Sequence, residues 1–400
     1  MTLSEELTWR GLIKDKTFES IEWLDKPKTF YLGIDVGSAD SLTVGNLAVF
    51  LLAKRMHKAG WNTVLLVGGA TSLIGDPGGK NSERELVSRE QVEHNKLGIQ
   101  KQLKRLFENQ KFSLVDNYDW FKDVGYLEFL RDIGKHYSMT ELIQREYIAE
   151  RMGEQGGGIS YAEFSYSLIQ GYDYWQLFKN MNVELQIGGS DQWGNMLSGV
   201  PLIRKKEGHE VHAMSMPLVI NKATGQKFGK SEAGAIWLDS TKTSPSDFYQ
   251  FWINVDDASV GEYLKIFTEL DRAQIAKIMT EFEANKPSRL AQKTLAHEVT
   301  KLVHGLKAAD NAATHAGALG QSSQILSGQV AVGDNVVEVL VKYGLASSKT
   351  EARQIMESGG IYINNQQSMK TEFEASDFHE GRVMVRRGKA LKNTIVLGQK

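Results

Sequence analysis

An α/β fold with a parallel sheet, then a helical domain, then a small C-terminal α/β module is what this chain predicts. Three observations carry that expectation. Thr29–Ile34 alternates β-branched and aromatic residues as a buried strand does, Val44–Ala59 is apolar at helical spacing through Leu47, Phe50 and Leu51, and Thr63–Val67 is a fully apolar second strand. A strand–helix–strand of this kind pairs in parallel through a right-handed crossover. Residues 244–316 are almost wholly helix-forming, with caps expected at Ser244 and Ser288. Residues 317–328 (GALGQSSQILSG) carry no charge and read as a linker, which sets off the last seventy residues as a module. The expected divisions are 1–235 with an insertion at about 117–160, a helical domain 236–316, a linker 317–330 and the module 331–400.

In chain order, residues 1–28 read as helical and then irregular. After the second strand comes GGATSLIGDPGGK at 68–80, a glycine-rich turn that carries Asp76 and Lys80. A long amphipathic helix is expected over Glu83–Asn109, a third strand over Phe112–Val115 and two helices over 120–152. Ser160 with Glu163 has capping-box spacing, so a helix runs from about Tyr161 to Asn180. Val183–Ile187 and Met214–Ile220 are the remaining strands, and the latter leads into KFGKS at 227–231.

Composition bounds the chemistry. With 400 residues, 41% apolar and 24% charged, the chain is ordinary for a globular protein of two or three domains. It has no cysteine, which excludes disulfides, thiolate metal sites and thiol nucleophiles. No stretch is long enough to span a membrane and no signal-peptide pattern begins the chain, so a cytoplasmic location is expected. The net charge of −2 argues against wholesale coating by nucleic acid.

Three stretches carry candidate chemistry. The turn YLGIDVGSADSLTVGN at 31–46 feeds a strand into a helix, and the N–H groups at the helix start form a ready anion site. Tyr166, Gln170 and Asp173 fall at i, i+4 and i+7 on one helix face, and Gly171 beside them would admit a ligand or a backbone. KFGKS places two lysines three apart around a glycine, a cationic clamp for a leaving polyphosphate. It is not a Walker phosphate loop, since no GxxxxGK[ST] follows the first strand.

These stretches occur in one order with NYDWF at 117–121, FLRDIGKH at 129–136, EFSYSLIQGYD at 163–173 and QIGGSDQWGN at 186–195. Together they resemble the bacterial-type tyrosyl-tRNA synthetases, class I aminoacyl-tRNA synthetases with a Rossmann-like catalytic domain. The resemblance implies a set of roles. Tyr31 and Asp173 would bind the phenol hydroxyl of tyrosine. Asp76, Tyr166 and Gln170 would hold its α-ammonium, with Gln192 near its carboxylate. Gly189 and Asp191 would take the ATP ribose, and Gly33, Asp35, Ser38, Gly45 and Asn46 would border the nucleotide. Lys80, Arg84, Lys227, Lys230 and Ser231 would hold the pyrophosphate. The implied reaction is attack of the tyrosine carboxylate on the α-phosphorus of ATP, then transfer of tyrosine to the 3′ end of tRNA(Tyr). It needs positioning and charge stabilisation rather than a protein nucleophile. Mg²⁺ would arrive with ATP rather than in a dedicated protein metal site.

Two departures from the family pattern stand out. The first helix opens with Thr43-Val44-Gly45-Asn46 where the family has His-x-Gly-His or His-x-Gly-Asn, and the loop Asp35–Asp40 is one residue longer than usual. Thr43 therefore lacks the imidazole that would meet the leaving phosphate. That favours one alternative, an RNA-binding paralogue with weakened activation. A synthetase for another aromatic amino acid is disfavoured by Tyr31 with Asp173.

The last seventy residues resemble the RNA-binding domain named after small-subunit ribosomal protein S-four. Residues 331–400 hold ten Lys/Arg and eight Asp/Glu, and the final twenty hold six basic residues and no acid. A basic edge of this kind suits a phosphate backbone. The insertion, apolar at Leu127, Phe129, Leu130 and Ile133, matches the family's dimer-forming segment and implies a homodimer.

Overall fold

The computed structural model describes the chain except residues 77–86, 109, 154–156, 223–224, 226–227, 232–233, 322–327, 365, 379–380 and 389–393. The regular elements begin with α1 (Leu3–Arg10), β1 (Thr29–Ile34), α2 (Val44–Lys58), β2 (Asn62–Val67), α3 (Arg89–Leu106) and β3 (Ser113–Asp116). Four short helices follow, α4 (Tyr118–Phe121), α5 (Tyr126–Asp132), α6 (Met139–Ile143) and α7 (Glu146–Met152). Next come α8 (Tyr161–Met181), β4 (Leu185–Gly189), α9 (Trp193–Met196), α10 (Gly199–Glu207), β5 (His212–Met216) and the short pair β6 (Lys230–Ser231) and β7 (Gly234–Ala235). Helices α11 (Pro245–Ile253), α12 (Val260–Phe267), α13 (Arg272–Ala284), α14 (Leu290–His304) and α15 (Leu306–Gln321) precede the last part. That part holds β8 (Gln329–Val330), α16 (Val336–Lys342), α17 (Lys349–Glu357), β9 (Ile361–Ile363), β10 (Gln366–Gln367), β11 (Arg382–Arg387) and β12 (Thr394–Gln399).

The chain packs as two compact units, Met1–Lys242 with Asp256–Ala284, and Thr243–Val255 with Asn285–Lys400. Residues 236–316 are therefore shared between the units.

The first unit is built on a five-stranded sheet of order β3-β2-β1-β4-β5, parallel throughout. The expected βαβ unit is its centre. Helix α2 buries Leu47, Phe50 and Leu51 completely or nearly so. Each such side chain contributes about 1.5–3 kcal/mol, against about 1 kcal/mol for an N-cap, so packing rather than capping holds α2 in place. Another cluster joins Tyr31, Val64 and Leu66 of the sheet to Tyr174 and Leu177 of α8 and Ile203 of α10. The strand order reverses between β1 and β4, and in open parallel sheets ligands bind at the carboxyl ends of the strands there.

In the second unit, α11, α14 and α15 bury Phe248, Trp252, Leu295 and Val299. Its sheet runs β10-β9-β11-β12-β8 and covers a core with Val336, Leu340, Val383, Val385 and Leu397.

Several boundaries differ from expectation for local reasons. Helix α3 starts after Ser88, whose hydroxyl accepts from the Gln91 amide, and ends at Leu106. Residues 83–86 of the expected helix lie outside the described residues. The two helices expected over 120–152 are four, broken where Gly125 precedes α5 and where Gly134 opens a 3₁₀ turn. Ser244 caps α11 as expected, but the residue before α14 is Arg289 at φ 52°, and Ser288 instead donates to the Asn285 carbonyl. The expected linker 317–330 is helical to Gln321 and strand from Gln329, with 322–327 outside the described residues.

Candidate active site

A cavity of about 270 Å³ opens at the carboxyl ends of β1 and β4. Tyr31, Gly33, Asp35, Gly45, Asn46, Asp76, Tyr166, Gln170, Asp173, Gly189, Asp191 and Gln192 all line it. Every one of these was singled out in the sequence. Thr43 and Ser38 line an adjoining cavity, which shares Gly33, Asp35 and Asn46 with the first. Lys80, Arg84 and Lys227 lie outside the described residues, and Lys230 and Ser231 form β6.

Helix α8 presents the polar stripe. Ser160 caps it in a reciprocal box with Glu163, and Glu163 also pairs with buried Arg151 at 3.0 Å. The start of the helix is thus tied down, and Tyr166, Gln170 and Asp173 face the sheet as their spacing requires. Gly171 admits the Ser198 backbone, 3.1 Å from where a Cβ would stand, and a hydroxyl as well. A Cβ there would lie 1.9 Å from Tyr137 Oη, so the glycine admits that hydroxyl, which donates to the Ser198 carbonyl at 3.0 Å.

Two residues to which the sequence assigned no role fix Asp173. Asn117 Nδ2 donates to its Oδ2 at 3.0 Å, and Trp120 Nε1 donates to its Oδ1 at 2.9 Å. Both sit in the NYDWF stretch just past β3. A half-buried tryptophan N–H needs an acceptor, which was the available signal. Burial pushes the Asp173 carboxyl up to about 7, and these two donors pull against that rise. Tyr31, opposite on β1, is 1% exposed and its hydroxyl has no hydrogen-bond partner among the described residues. Burial holds that phenol well above its ordinary value, with the Asp173 charge adding to the shift. Gln186, the β4 register partner of Tyr31, also lines the cavity with a buried Oε1 that has no hydrogen-bond partner among the described residues.

At the other end of the stripe, Gln192 Nε2 donates to Asp76 Oδ2 at 2.6 Å. Asn195 Nδ2 reaches Asp76 Oδ1 at 3.4 Å and Gln192 Oε1 at 3.2 Å. Asn195, the last residue of QIGGSDQWGN, is a further residue missed in the sequence. Burial raises the Tyr166 phenol well above its ordinary value, and the Asp76 charge raises it further. The arrangement is amphiphilic in the required sense. One end offers an acceptor carboxylate beside an unsatisfied phenol, and the other offers an anchored carboxylate, an amide and a phenol. Such a site suits a small molecule with a hydroxyl at one end and a cation at the other.

The adjoining cavity is walled by the β1–α2 loop. Asp35 Oδ1 accepts from the Gly37 amide at 2.8 Å and Oδ2 from Ser38 Oγ at 2.9 Å, so Asp35 organises its own loop. Thr43 caps α2. Its backbone N–H and its hydroxyl donate to Asn46 Oδ1 at 3.0 and 2.9 Å, leaving the Asn46 NH₂ to donate outward. A Cβ on Gly189 would stand 2.6 Å from Asp191 Oδ1, so the glycine makes room for that carboxylate. Gly229 of KFGKS, at φ +107°, lies against Gly45 and brings that motif onto the start of α2.

The chain is similar to known proteins along nearly its whole length. The family model "tRNA synthetases class I (W and Y)" matches residues 24–319, and the model "Tyrosine--tRNA ligase SYY-like C-terminal domain" matches 323–395. The chain is 43% identical to the tyrosine–tRNA ligase of Lactococcus lactis subsp. cremoris over 97% of this chain and 98% of that protein. It is 41% identical to that of Listeria monocytogenes over 97% and 98%, and 39% identical to tyrosine–tRNA ligase 2 of Bacillus cereus over the full length of both. A C-terminally truncated mitochondrial tyrosyl-tRNA synthetase of Aspergillus nidulans superposes with a TM-score of 0.71 at 32% identity, covering 80% of this chain and 94% of that one.

Proposed function

The chain belongs to the class I tRNA synthetases for tryptophan and tyrosine, and from that premise we infer that its reaction is that of a tyrosine–tRNA ligase. The observation that carries the choice of tyrosine is the buried, unpartnered Tyr31 hydroxyl in the same cavity as Asp173. A substrate phenol would satisfy both groups. An amino acid without the hydroxyl would leave the Tyr31 hydroxyl unpaired and Asp173 with its Asn117 and Trp120 donors alone, at about 1–3 kcal/mol for the buried polar group left unsatisfied.

In this reading Asp173 accepts the substrate's hydroxyl proton in a hydrogen bond, with its own orientation set by Asn117 and Trp120. Asp76, Tyr166 and Gln170 take the α-ammonium, and Gln192 lies toward the carboxylate. That carboxylate attacks the α-phosphorus of ATP, the bond to the β,γ-pyrophosphate breaks, and tyrosyl-adenylate forms. A terminal ribose hydroxyl of tRNA(Tyr) then attacks the carbonyl and releases AMP. Gly189 and Asp191 would take the ribose, and Gly33, Asp35, Ser38, Gly45 and the Asn46 amide would border the nucleotide. Lys80, Arg84, Lys227, Lys230 and Ser231 would stabilise the pyrophosphate charge.

Among the described residues no group of three or more His, Asp or Glu could hold a metal. Mg²⁺ would come as the ATP complex and screen the phosphates, which fits its preference for phosphate and water oxygens. The module from residue 331 would hold the tRNA through its basic edge, and 236–316 would face the anticodon side. No helix among the described residues is long and apolar enough to cross a membrane.

Assembly is proposed as a homodimer. Tyr126, Leu127, Met139, Met152 and Tyr161 are all more than half exposed, on α5–α8 of one unit. Of the apolar residues that suggested this in the sequence, Leu127 is 78% exposed while Ile133 is buried in a cluster with Tyr172.

Tyrosine-dependent exchange of pyrophosphate into ATP tests the function. The ligase reading expects exchange with tyrosine and little with phenylalanine or tryptophan. RNA binding without exchange would instead support the paralogue reading.

A further inference from the structure

The loop from β1 to α2 is held from outside, by one face of α3. Nine residues, 35–43, separate Ile34 from Val44. That is long for a βα connection, where about 2–6 residues are usual. The backbone groups of such a loop normally rest on water. Here the Val36 carbonyl near one end and the Leu42 amide near the other are both met by side chains of a single helix. Asn95, 2% exposed, donates through Nδ2 to the Val36 carbonyl at 2.7 Å. Gln102 Oε1 accepts from the Leu42 amide at 2.9 Å, and its Nε2 donates to Ser41 Oγ at 2.9 Å. Between them Gly98 faces Asp40, and a Cβ on Gly98 would stand 2.2 Å from the Asp40 carbonyl oxygen.

Asn95, Gly98 and Gln102 are spaced i, i+3 and i+7, so they form one ridge along the helix. The ridge is itself braced, since Gln91 Nε2 donates to Asn95 Oδ1 at 2.8 Å. The Asp40 side chain is gripped on the outside by an ion pair with Lys242 and lies 3.7 Å from His94 Nε2. Both ends and the middle of the loop are therefore fixed. What the ridge fixes is the wall of the adjoining cavity, lined by Asp35, Ser38, Ser41, Leu42, Thr43 and Asn46.

We propose that Asn95, Gly98 and Gln102 are positioning residues for the nucleotide-facing loop, holding its Asp35, Ser38 and Thr43 in place for ATP. None of the three touches the main cavity, and their effect would pass through the loop. The proposal rests on the nucleotide reading of that loop. It separates two sides of one site: the tyrosine end is carried by β1, β4 and α8, whereas the loop is carried by α3.

The experiment compares Gly98→Ala, Gln102→Leu and the exposed control Lys101→Ala with the wild type, in the full chain. Four quantities are measured: KM for ATP and kcat in pyrophosphate exchange, tyrosine Kd by equilibrium dialysis, and hydrogen exchange at the Leu42 amide. Displacing a reacting group by about 1 Å costs up to about a hundredfold, so Gly98→Ala is expected to lower kcat/KM for ATP by about ten- to a hundredfold. Gln102→Leu should lower it about tenfold and speed Leu42 amide exchange, as loss of its two bonds to the loop would. Tyrosine Kd should stay within about twofold, because uniform binding of that substrate is untouched. Equal loss of tyrosine and ATP terms, or unchanged ATP kinetics in both variants, would overturn the proposal. If the wild type shows no exchange while Gln102→Leu still frees the Leu42 amide, the ligase reading fails and the ridge is a structural clamp alone.

Discussion

Gly229 lies back to back with Gly45: a Cβ on Gly229 would stand 2.7 Å from the Gly45 nitrogen and 3.0 Å from its Cα. Two motifs nearly two hundred residues apart in the chain thus meet backbone to backbone at the start of α2. Phe228 secures the approach from below, its ring 4.5 Å from Tyr263 and 5.6 Å from Phe267 of α12. Gly229→Ala would meet both the occupied space and a left-handed φ of +107°, a backbone strain of about 1–3 kcal/mol. Adenylate formation should fall at least tenfold while tyrosine Kd holds. Rapid-quench measurement of adenylate formation with tyrosine dialysis reads both, and an unchanged rate would mean the contact is dispensable.

Asp173 gives a pH dependence of defined sign. Burial disfavours its charge and pushes the folded carboxyl up to about 7, from an ordinary value of 3.8. The folded state then binds more protons than the unfolded state between those values. Stability of the free protein should therefore fall as pH rises through that window. Tyrosine recognition needs the carboxylate as acceptor, so kcat/KM for tyrosine should rise through the same range. Asp173→Asn should flatten both profiles. Urea unfolding and pyrophosphate exchange from about pH 5 to 8 check the two opposite slopes.

Thr43 donates to Asn46 rather than into the main cavity. Thr43→Ala removes one neutral hydrogen bond, at about 0.5–1.5 kcal/mol, while the backbone N–H still donates to Asn46. Thr43→Ser should restore the rate. Thr43→Ala should cost less than Lys230→Ala in single-turnover adenylate formation. A larger loss for Thr43→Ala, not rescued by serine, would make Thr43 itself a phosphate ligand.

The exposed apolar side chains on α5–α8 predict a twofold homodimer. Leu127→Asp should shift the mass seen by light scattering at micromolar protein toward the monomer. A monomeric wild type at that concentration would contradict the assembly.

Part of the proposed tyrosine end was legible in the sequence because Tyr166, Gln170 and Asp173 lie on one regular helix. Helical spacing puts Tyr166, Gln170 and Asp173 on one face, and the resemblance to the synthetase family, not periodicity, joins Tyr31 to them. The supports were not legible. Asn117, Trp120 and Asn195 reach Asp173 and Asp76 from turns, whose direction no periodicity encodes. The Asn95–Gln102 ridge looked like the polar side of an amphipathic helix, since a face that grips a loop has the same composition as one that meets water. The breaks in 120–152 follow from Gly125 and Gly134 acting inside a stretch of good helix formers. Ser288 failed as a cap because Arg289 takes the left-handed turn before α14.

In the proposed function, tyrosine is chosen through its hydroxyl by Tyr31 and Asp173. The most direct test measures kcat/KM for tyrosine and for phenylalanine in pyrophosphate exchange, in wild type, Tyr31→Phe and Asp173→Ala. Both variants should lose activity with tyrosine far more than with phenylalanine. The preference should narrow by about tenfold or more in each, as loss of a buried partner worth about 1–3 kcal/mol requires. Equal losses for the two amino acids would contradict the account, because the hydroxyl would then not be what this pocket reads.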